Sequence, residues 1–572
     1  MIIDPRRRLQ SRYVPAGDGV RLAVDVWLPV ERIAAGEAVG AVVRTTRYHR
    51  AGVDGGDGDD PNRAEAELWL AAGIAFVVAD ARGTGASFGA RSAELGEREI
   101  ADYGELIDWV AAWPWSNGRV GAYGTSYEGQ AAELVARLGN PHLVAVAALF
   151  SPHDPYRELF HPGGVATAGR FAGWMRECRR KDGVPAEEVP LPPVKPVDGP
   201  DGRALLAEAV AEHQANTDVH ALMYRVPFRD DRVDGLDWAS TTPAAASEAI
   251  AATGVPFLVR VGWVDGAFVA GALTRFAGLP NHQTVEIGPW GHGGRTRADP
   301  LRPTGPIDAD GQDRRLVEFF TRHLAGDAAP PPAGRGSLSF STLGTDRWHT
   351  VQSWPPGDLD LGVRRLYPGA DGELADVAGP ATPVRYAVDP TSSTGPTNRW
   401  LAGEIGQGAA YPDRRNADAT LLTFTSAPLG ADFHVLGFPV ATLQLATTGS
   451  DGVVYVYLEL VDPDGAVTYL TEGCLRFLHR ATTGPPDPTN LGVPRTFARA
   501  DRLPVEPGET LDLTVALLPV SALLRAGHRL RVAIAGNDAS CFTHYGPPGE
   551  TFTLTLGGST HLDLPVVTPP TA

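Results

Sequence analysis

Cysteine is scarce. The chain holds three thiols in 572 residues, Cys178, Cys474 and Cys541, an odd number with no paired spacing. That excludes a disulfide framework and points to a reducing compartment; none stands in a ligand-like cluster, so no metal is expected. Long hydrophobic runs are also missing. No stretch approaches the roughly 18 continuous apolar residues of a membrane span, and Met1-Ile2-Ile3-Asp4-Pro5-Arg6-Arg7-Arg8 has charge without an apolar leader core. The expectation is a cytoplasmic protein with no membrane partner. Positive charge is in deficit as well: 50 Lys+Arg against 68 Asp+Glu leave a formal charge of −18. Such a surface repels nucleic acid and anionic lipid, so no nucleic-acid partner is expected. The acidity reads first as solubility and second as steering of cationic substrates. Solenoid-length repeats are absent, and so are low-complexity tracts beyond Pro-rich loops.

What is present centres on Arg119 to Gly129, R-V-G-A-Y-G-T-S-Y-E-G, where a run of small and apolar residues leads into Gly124-Thr125-Ser126-Tyr127-Glu128-Gly129 and then into helix formers. This is the layout of a nucleophile elbow. A serine raised on a strand-to-helix turn has strained backbone angles and close neighbours, which favours glycine on either side of it, here Gly124 two residues before and Gly129 three after. The same turn aims the Tyr127 amide at the serine hydroxyl, giving half of an oxyanion hole. A glycine-flanked serine alone is a weak signal, and a second one stands at Gly85-Ala86-Ser87-Phe88-Gly89, with its glycines two residues either side. There no helix follows directly, so Ser126 is the expected nucleophile and Ser87 is not.

At 572 residues the chain has room for two to four domains. Gly19 to Val30 alternates apolar with polar residues and reads as an edge strand with one wet face. Val39 to Thr45, Ile74 to Ala79 and Leu143 to Phe150 read as buried strands; Ala64 to Ala72 and Glu97 to Trp113 read as helices. Alternation at this spacing means a mostly parallel α/β sheet covered on both faces, whose opening segment spans residues 1–150. From 151 to 250 the pattern is helical (Ala166 to Arg180, Asp201 to Asn216) around a Pro-rich loop, Val184 to Pro200, with no convincing strand. That is the expected inserted cap. Its Phe171 and Trp174 are candidate substrate-binding residues, with cap core as the plainer role. The sheet resumes over 251–330 with Pro256 to Val261, Gln283 to Gly288 and a closing helix, Arg314 to Leu324. After a Pro- and Gly-rich link, Ala328 to Gly336, short alternating segments starting at Ser337 read as an all-β jelly-roll domain, 337–572.

Two further polar residues come just past consecutive strand ends: Asp265 in Gly262-Trp263-Val264-Asp265-Gly266 and His292 in Gly288-Pro289-Trp290-Gly291-His292-Gly293. The order Ser126, Asp265, His292 is that of an α/β-hydrolase triad. Serine needs an imidazole to take its proton during attack, and the imidazole needs a carboxylate to hold its tautomer. Tyr48, at the end of an early strand, is the candidate second oxyanion donor by position.

On these residues the chain resembles the cocaine esterase group of serine hydrolases, which includes nonactin-cluster hydrolases, α-amino acid ester hydrolases, glutaryl acylases and Xaa-Pro dipeptidyl peptidases. The matching segments run nearly end to end, from Arg47-Tyr48 and Asp80 to Ser87 through the elbow, Asp265 and His292 segments, then Phe319 to Gly326, Gly344 to Trp348, Trp354-Pro355-Pro356 and Ala526 to Leu530. The resemblance implies a catalytic α/β-hydrolase domain, an inserted helical cap and a C-terminal jelly roll. It implies Ser126, Asp265 and His292 as triad, the Tyr48 hydroxyl and Tyr127 amide as oxyanion hole, a structural role for the Asp80 to Ser87 loop, and no cofactor. Glu128 stands where relatives carry an apolar residue, and Ala267 where the cocaine-cleaving member has phenylalanine. These departures concern substrate choice, so cocaine is not carried over.

The leading expectation is hydrolysis of a small ester or activated amide through a Ser126 acyl-enzyme. An acyltransferase would use the same intermediate with another acceptor. An Xaa-Pro peptidase would need an acidic anchor for the substrate ammonium, for which Glu128 is the candidate. A carbohydrate-binding protein would require triad and chain order to be coincidence. Self-association as a homodimer is left open.

Overall fold

The computed structural model describes residues 3–51, 62–183, 194–219, 225–233, 236–327 and 334–568. The Gly- and Asp-rich stretch Gly52 to Asp60, most of the Pro-rich loop Val184 to Pro200 and most of the link Ala328 to Gly336 lie outside these residues.

The catalytic half is built on one ten-stranded sheet. Its strands begin with β1 (Leu9–Pro15), β2 (Arg21–Trp27), β3 (Val39–Thr46), β4 (Ala75–Asp80), β5 (Ser116–Thr125) and β6 (Leu143–Leu149). A two-residue ribbon, β7 (Arg232–Val233) and β8 (Leu236–Asp237), stands apart in the cap. The sheet continues with β9 (Phe257–Gly262), β10 (Gln283–Gly288), β11 (Gly336–Ser341) and β12 (Trp348–Val351), in the order β1-β2-β4-β3-β5-β6-β9-β10-β11-β12. From β4 to β11 the neighbours are parallel. Parallel strands need crossovers, and the helices supplying them cover both faces. Val42, Phe76 and Tyr123 pack into one core with Trp69 and Phe320, while Val43, Val77 and Ala122 face the other core with Ile107 and Leu134. The period-2 apolar alternation therefore marks two dry faces.

Two expectations about this sheet are corrected. The segment Gly19 to Val30 is not an edge strand: β2 lies between β1 and β4, and six of its seven residues are buried. Its polar member Asp25 faces no water; it accepts from the Ser11 hydroxyl and pairs with the buried Arg50. An internal ion pair imitated a wet face in the pattern. The segment starting at Ser337 does not open the β domain either. It forms β11, which pairs in parallel with β10 from Gln283↔Gly336 to Ile287↔Phe340, and β12 then closes that edge antiparallel.

The cap follows β6. Its helices Ala168–Lys181 and Gly202–Glu212 lie where helical spacing was expected; a five-residue π-helical turn, Tyr156–Phe160, and the β7–β8 ribbon were not expected. The remaining strands, from Leu361–Pro368 to His561–Val567, form an all-β domain, antiparallel apart from one short pairing of Glu373–Ala375 with Leu422–Ser426. Among the described residues no helix is long and apolar enough to cross a membrane.

Candidate active site

Strand β5 ends at Thr125, and the helix Tyr127–Val135 starts two residues on. Ser126 between them has φ 62° and ψ −122°, a positive φ that costs a non-glycine residue about 1–3 kcal/mol and persists only where the surroundings enforce it. The enforcement is visible. The Ser126 N–H donates to Leu149 O at 2.8 Å, anchoring the turn to β6. A Cβ on Gly124 would stand 2.2 Å from that of Glu128, and one on Gly129 would stand 2.7 Å from Gly124 O. Only hydrogen fits at either place. Tyr127 opens the helix, so its amide is among the first-turn groups that have no acceptor within the helix.

The rival serine has a different task. Ser87 is buried, its hydroxyl donating to Asp80 O and accepting from Ala23 N, both at 2.8 Å. It pins the loop after β4 to β2.

Asp265 and His292 come after β9 and β10, at the same carboxyl edge of the parallel run as Ser126. His292 Nδ1 lies 2.9 Å and 3.2 Å from the two Asp265 carboxylate oxygens. That contact commits the neutral ring to donate from Nδ1 and leaves Nε2 as the acceptor. The imidazole lies between Phe150 and Phe268, with ring centres at 6.3 and 5.8 Å.

The β domain reaches the same loop. Buried Arg399 donates from Nε to Gly266 O at 2.7 Å and from Nη2 to Trp263 O at 2.8 Å, while its own carbonyl accepts from Gly266 N at 2.9 Å. Three bonds thus clamp the turn that carries Asp265. A Cβ on Gly403 would lie 3.0 Å from that of His292, so this segment also walls in the histidine. Arg399 carries no local motif, and its role was not legible from the chain.

Tyr48 follows β3 directly. Its hydroxyl oxygen accepts from Trp174 Nε1 at 2.9 Å, and its ring meets that of Tyr127 edge-on at 6.0 Å. The Tyr127 phenol donates to buried Glu99, which also accepts from Tyr103 Oη at 2.5 Å and from Leu95 N at 3.0 Å. Burial pushes the Glu99 carboxyl up to about 7, opposed by Arg91 and reinforced by Glu94. The same burial raises the Tyr127 phenol well above its ordinary range.

Ser126, Tyr48 and Tyr127 open onto a cavity of about 80 Å³, lined on the cap side by Leu159, Phe160, Phe171, Trp174, Val219 and Trp238. Both sequence candidates in the cap, Phe171 and Trp174, therefore lie in its wall. A larger cavity, about 310 Å³, lies between cap and β domain and is not lined by Ser126.

Glu128 is a correction. It does not line the Ser126 cavity; it is buried under the elbow, 3.9 Å from Arg44, with its acidity weakened chiefly by burial. One step along a helix turns a side chain through about 100°, so Tyr127 lines the cavity while Glu128 faces Arg44 of β3. The acidic residue in the wall is Glu94, which pairs with Arg47 and precedes Leu95 in a left-handed conformation, φ 55°. No spacing signal marks Glu94 in a loop. Among the described residues no group of three or more His, Cys, Asp and Glu side chains is gathered as a metal ion requires.

The chain matches the X-Pro dipeptidyl-peptidase (S15 family) over residues 18–294 and the X-Pro dipeptidyl-peptidase C-terminal non-catalytic domain over residues 335–565. It is 36% identical over 614 aligned positions to a Mycobacterium tuberculosis protein named as a serine esterase, covering 98% of this chain and 96% of that one. Identity to the cocaine esterase of a Rhodococcus species is 25% over 555 positions, covering 92% and 90%. Among solved structures, a CocE/NonD family hydrolase from Staphylococcus aureus superposes with TM-score 0.71 at 17% identity, covering 98% of this chain and 93% of that one. An α-amino acid ester hydrolase gives 0.70 at 20%, covering 99% and 98%. The fold is theirs. With such a relative aligned over nearly its whole length, the chain belongs to the S15 and cocaine esterase-like family of serine hydrolases.

Proposed function

We propose that the protein hydrolyses a small carboxylic ester, or an activated amide, through an acyl-enzyme on Ser126. The observation that carries this reading is the His292–Asp265 contact on the sheet edge that also bears the strained Ser126 turn. His292 Nε2 takes the Ser126 proton as Oγ attacks the carbonyl carbon, and the carbonyl oxygen becomes an oxyanion received by the Tyr127 N–H and the Tyr48 O–H. The imidazolium, held by Asp265, returns the proton to the departing alcohol or amine. Water then enters, gives its proton to Nε2, attacks the acyl carbon and releases the acid with Ser126 restored. The chain's own side chains supply every proton transfer.

The apolar cap wall of the cavity suits a compact, mainly hydrocarbon acyl group. An Xaa-Pro peptidase reading, favoured by the family matches, has lost its expected anchor at Glu128 and would have to use Glu94 for the substrate ammonium. Turnover of p-nitrophenyl acetate, covalent labelling by a fluorophosphonate probe and loss of both in Ser126→Ala are the expected results. Turnover unchanged in Ser126→Ala would end the proposal. Cleavage of an Xaa-Pro-p-nitroanilide, lost in Glu94→Gln, would select the peptidase reading.

A further inference from the structure

The two oxyanion donors are held in unlike ways. The Tyr127 amide is fixed by the backbone of the elbow. The Tyr48 phenol is a side chain whose O–H turns about its C–O bond, so something must decide where the proton points. Trp174, on the cap helix Ala168–Lys181, donates its indole N–H to the Tyr48 oxygen at 2.9 Å. Indole nitrogen is a donor only. The direction of this bond is therefore fixed at every pH at which the protein folds: Tyr48 accepts, and its own proton cannot go to Trp174. The indole has two close neighbours of its own, the Arg47 guanidinium 5.5 Å from its ring centre and the Phe171 ring at 5.6 Å. Arg47 is in turn buried against Asp182, its Nη2 lying 3.0 Å from both carboxylate oxygens.

We infer that Trp174 is a positioning residue for the oxyanion hole: its N–H occupies one acceptor site of Tyr48 and keeps the phenolic proton directed at the substrate oxygen. This rests on Tyr48 being an oxyanion donor, as proposed above. A donated hydrogen bond also draws electron density from the phenol oxygen, making its proton a better donor as negative charge grows on the substrate. Because Trp174 stands in the cavity wall beside Phe171, the cap places part of the acyl pocket and completes the oxyanion hole with one side chain. A substrate or a mutation that displaces this helix would then lower turnover as well as binding.

The test is a double-mutant cycle on p-nitrophenyl acetate with two replacements at position 174. Trp174→Phe removes the N–H with some loss of volume; Trp174→3-benzothienylalanine keeps the bicyclic shape and replaces N–H by sulfur, so it preserves the packing. Both are expected to lower kcat about tenfold with KM within about threefold, the pattern of an interaction used in the transition state. Trp174→His, which retains a ring N–H, is expected to recover part of the loss. Tyr48→Phe alone is expected to cost about 10²–10³ in kcat. In the Tyr48→Phe background neither replacement at 174 should lower kcat further. Tyr48→Phe without effect on kcat would remove the oxyanion reading and this inference with it. A severe Tyr48→Phe defect, with the benzothienyl variant either unchanged or equally harmful in both backgrounds, would overturn the inference and leave the oxyanion reading standing.

Discussion

The elbow and the surfaces that close over it meet at one cavity but are held by different physics. Around Ser126 the backbone decides: a mid-sheet strand, a positive φ, and glycines whose replacement would put a carbon 2.2 or 2.7 Å from its neighbours. Around the cap and β domain single side chains decide: Trp174 on Tyr48, and Arg399 on the carbonyls of Trp263 and Gly266. The first arrangement fixes the Ser126 turn through the backbone of adjoining elements. The second can be altered one bond at a time. Rigid chemistry and adjustable selectivity are thereby assigned to different regions of the molecule.

The contrast is challenged most severely at the carboxylate. Asp265→Asn keeps the shape but reverses the hydrogen bond to Nδ1, so kcat is expected to fall about 10⁴-fold with thermal stability little changed. Steady-state kinetics beside a melting curve would check both halves. Gly124→Ala strikes the backbone-built side: with a new carbon 2.2 Å from Glu128 Cβ, the expected cost is about 3 kcal/mol in urea unfolding, with turnover lost. Arg399→Met strikes the side-chain-built side. It strands two buried carbonyls, and the expectation is about 2 kcal/mol of stability together with a roughly tenfold lower kcat. If Arg399→Met lost stability and kept kcat, the clamp would be structural only and the contrast would weaken.

Two buried carboxyls extend the contrast to pH. Glu99 under the elbow and Glu472 in the β domain are each pushed up to about 7, in both cases mainly by burial. A carboxyl whose folded pKa lies above its unfolded value favours the fold at low pH, fully so below the unfolded value near 4.5, and that contribution is lost as pH rises through about 7. The stability contributed by these two carboxyls, followed by melting temperature, should therefore fall between about pH 5 and pH 8, opposed below about pH 6.5 by buried histidines such as His161 and His479, whose pKa values burial lowers. Glu99→Gln and Glu472→Gln should each flatten that slope, but only Glu99→Gln should also change kcat, because Glu99 holds Tyr127 and Leu95. The smallest effect is expected at Glu128. Glu128→Gln should leave kcat/KM within about twofold and leave the ratio between ammonium-bearing and neutral esters unchanged, since this side chain lies outside the cavity wall.

Residues that owe their place to near neighbours in the chain were legible. Glycines two before and three after Ser126 announce a turn, and Asp265 and His292 announce themselves by following apolar runs; parallel strands then bring all such ends to one edge. Residues that owe their place to distant partners were not. Asp25 looked wet because its partner Arg50 stands 25 positions away in sequence. Ser337 looked like the start of a new domain because a strand carries no mark of which sheet it will join. Glu128 looked like an anchor beside the nucleophile, although one step along a helix turns a side chain through about 100°. Arg399 and Glu94 left no trace at all.

Residue types and their spacing were enough to set the order of chemistry along this chain, because a strained turn, a strand end and a glycine pair are local demands. What surrounds that chemistry was settled by the packed chain. Which carboxylate lines the cavity, which tryptophan bonds to Tyr48 and which arginine clamps the Asp265 turn all depend on segments remote in sequence converging on one sheet edge.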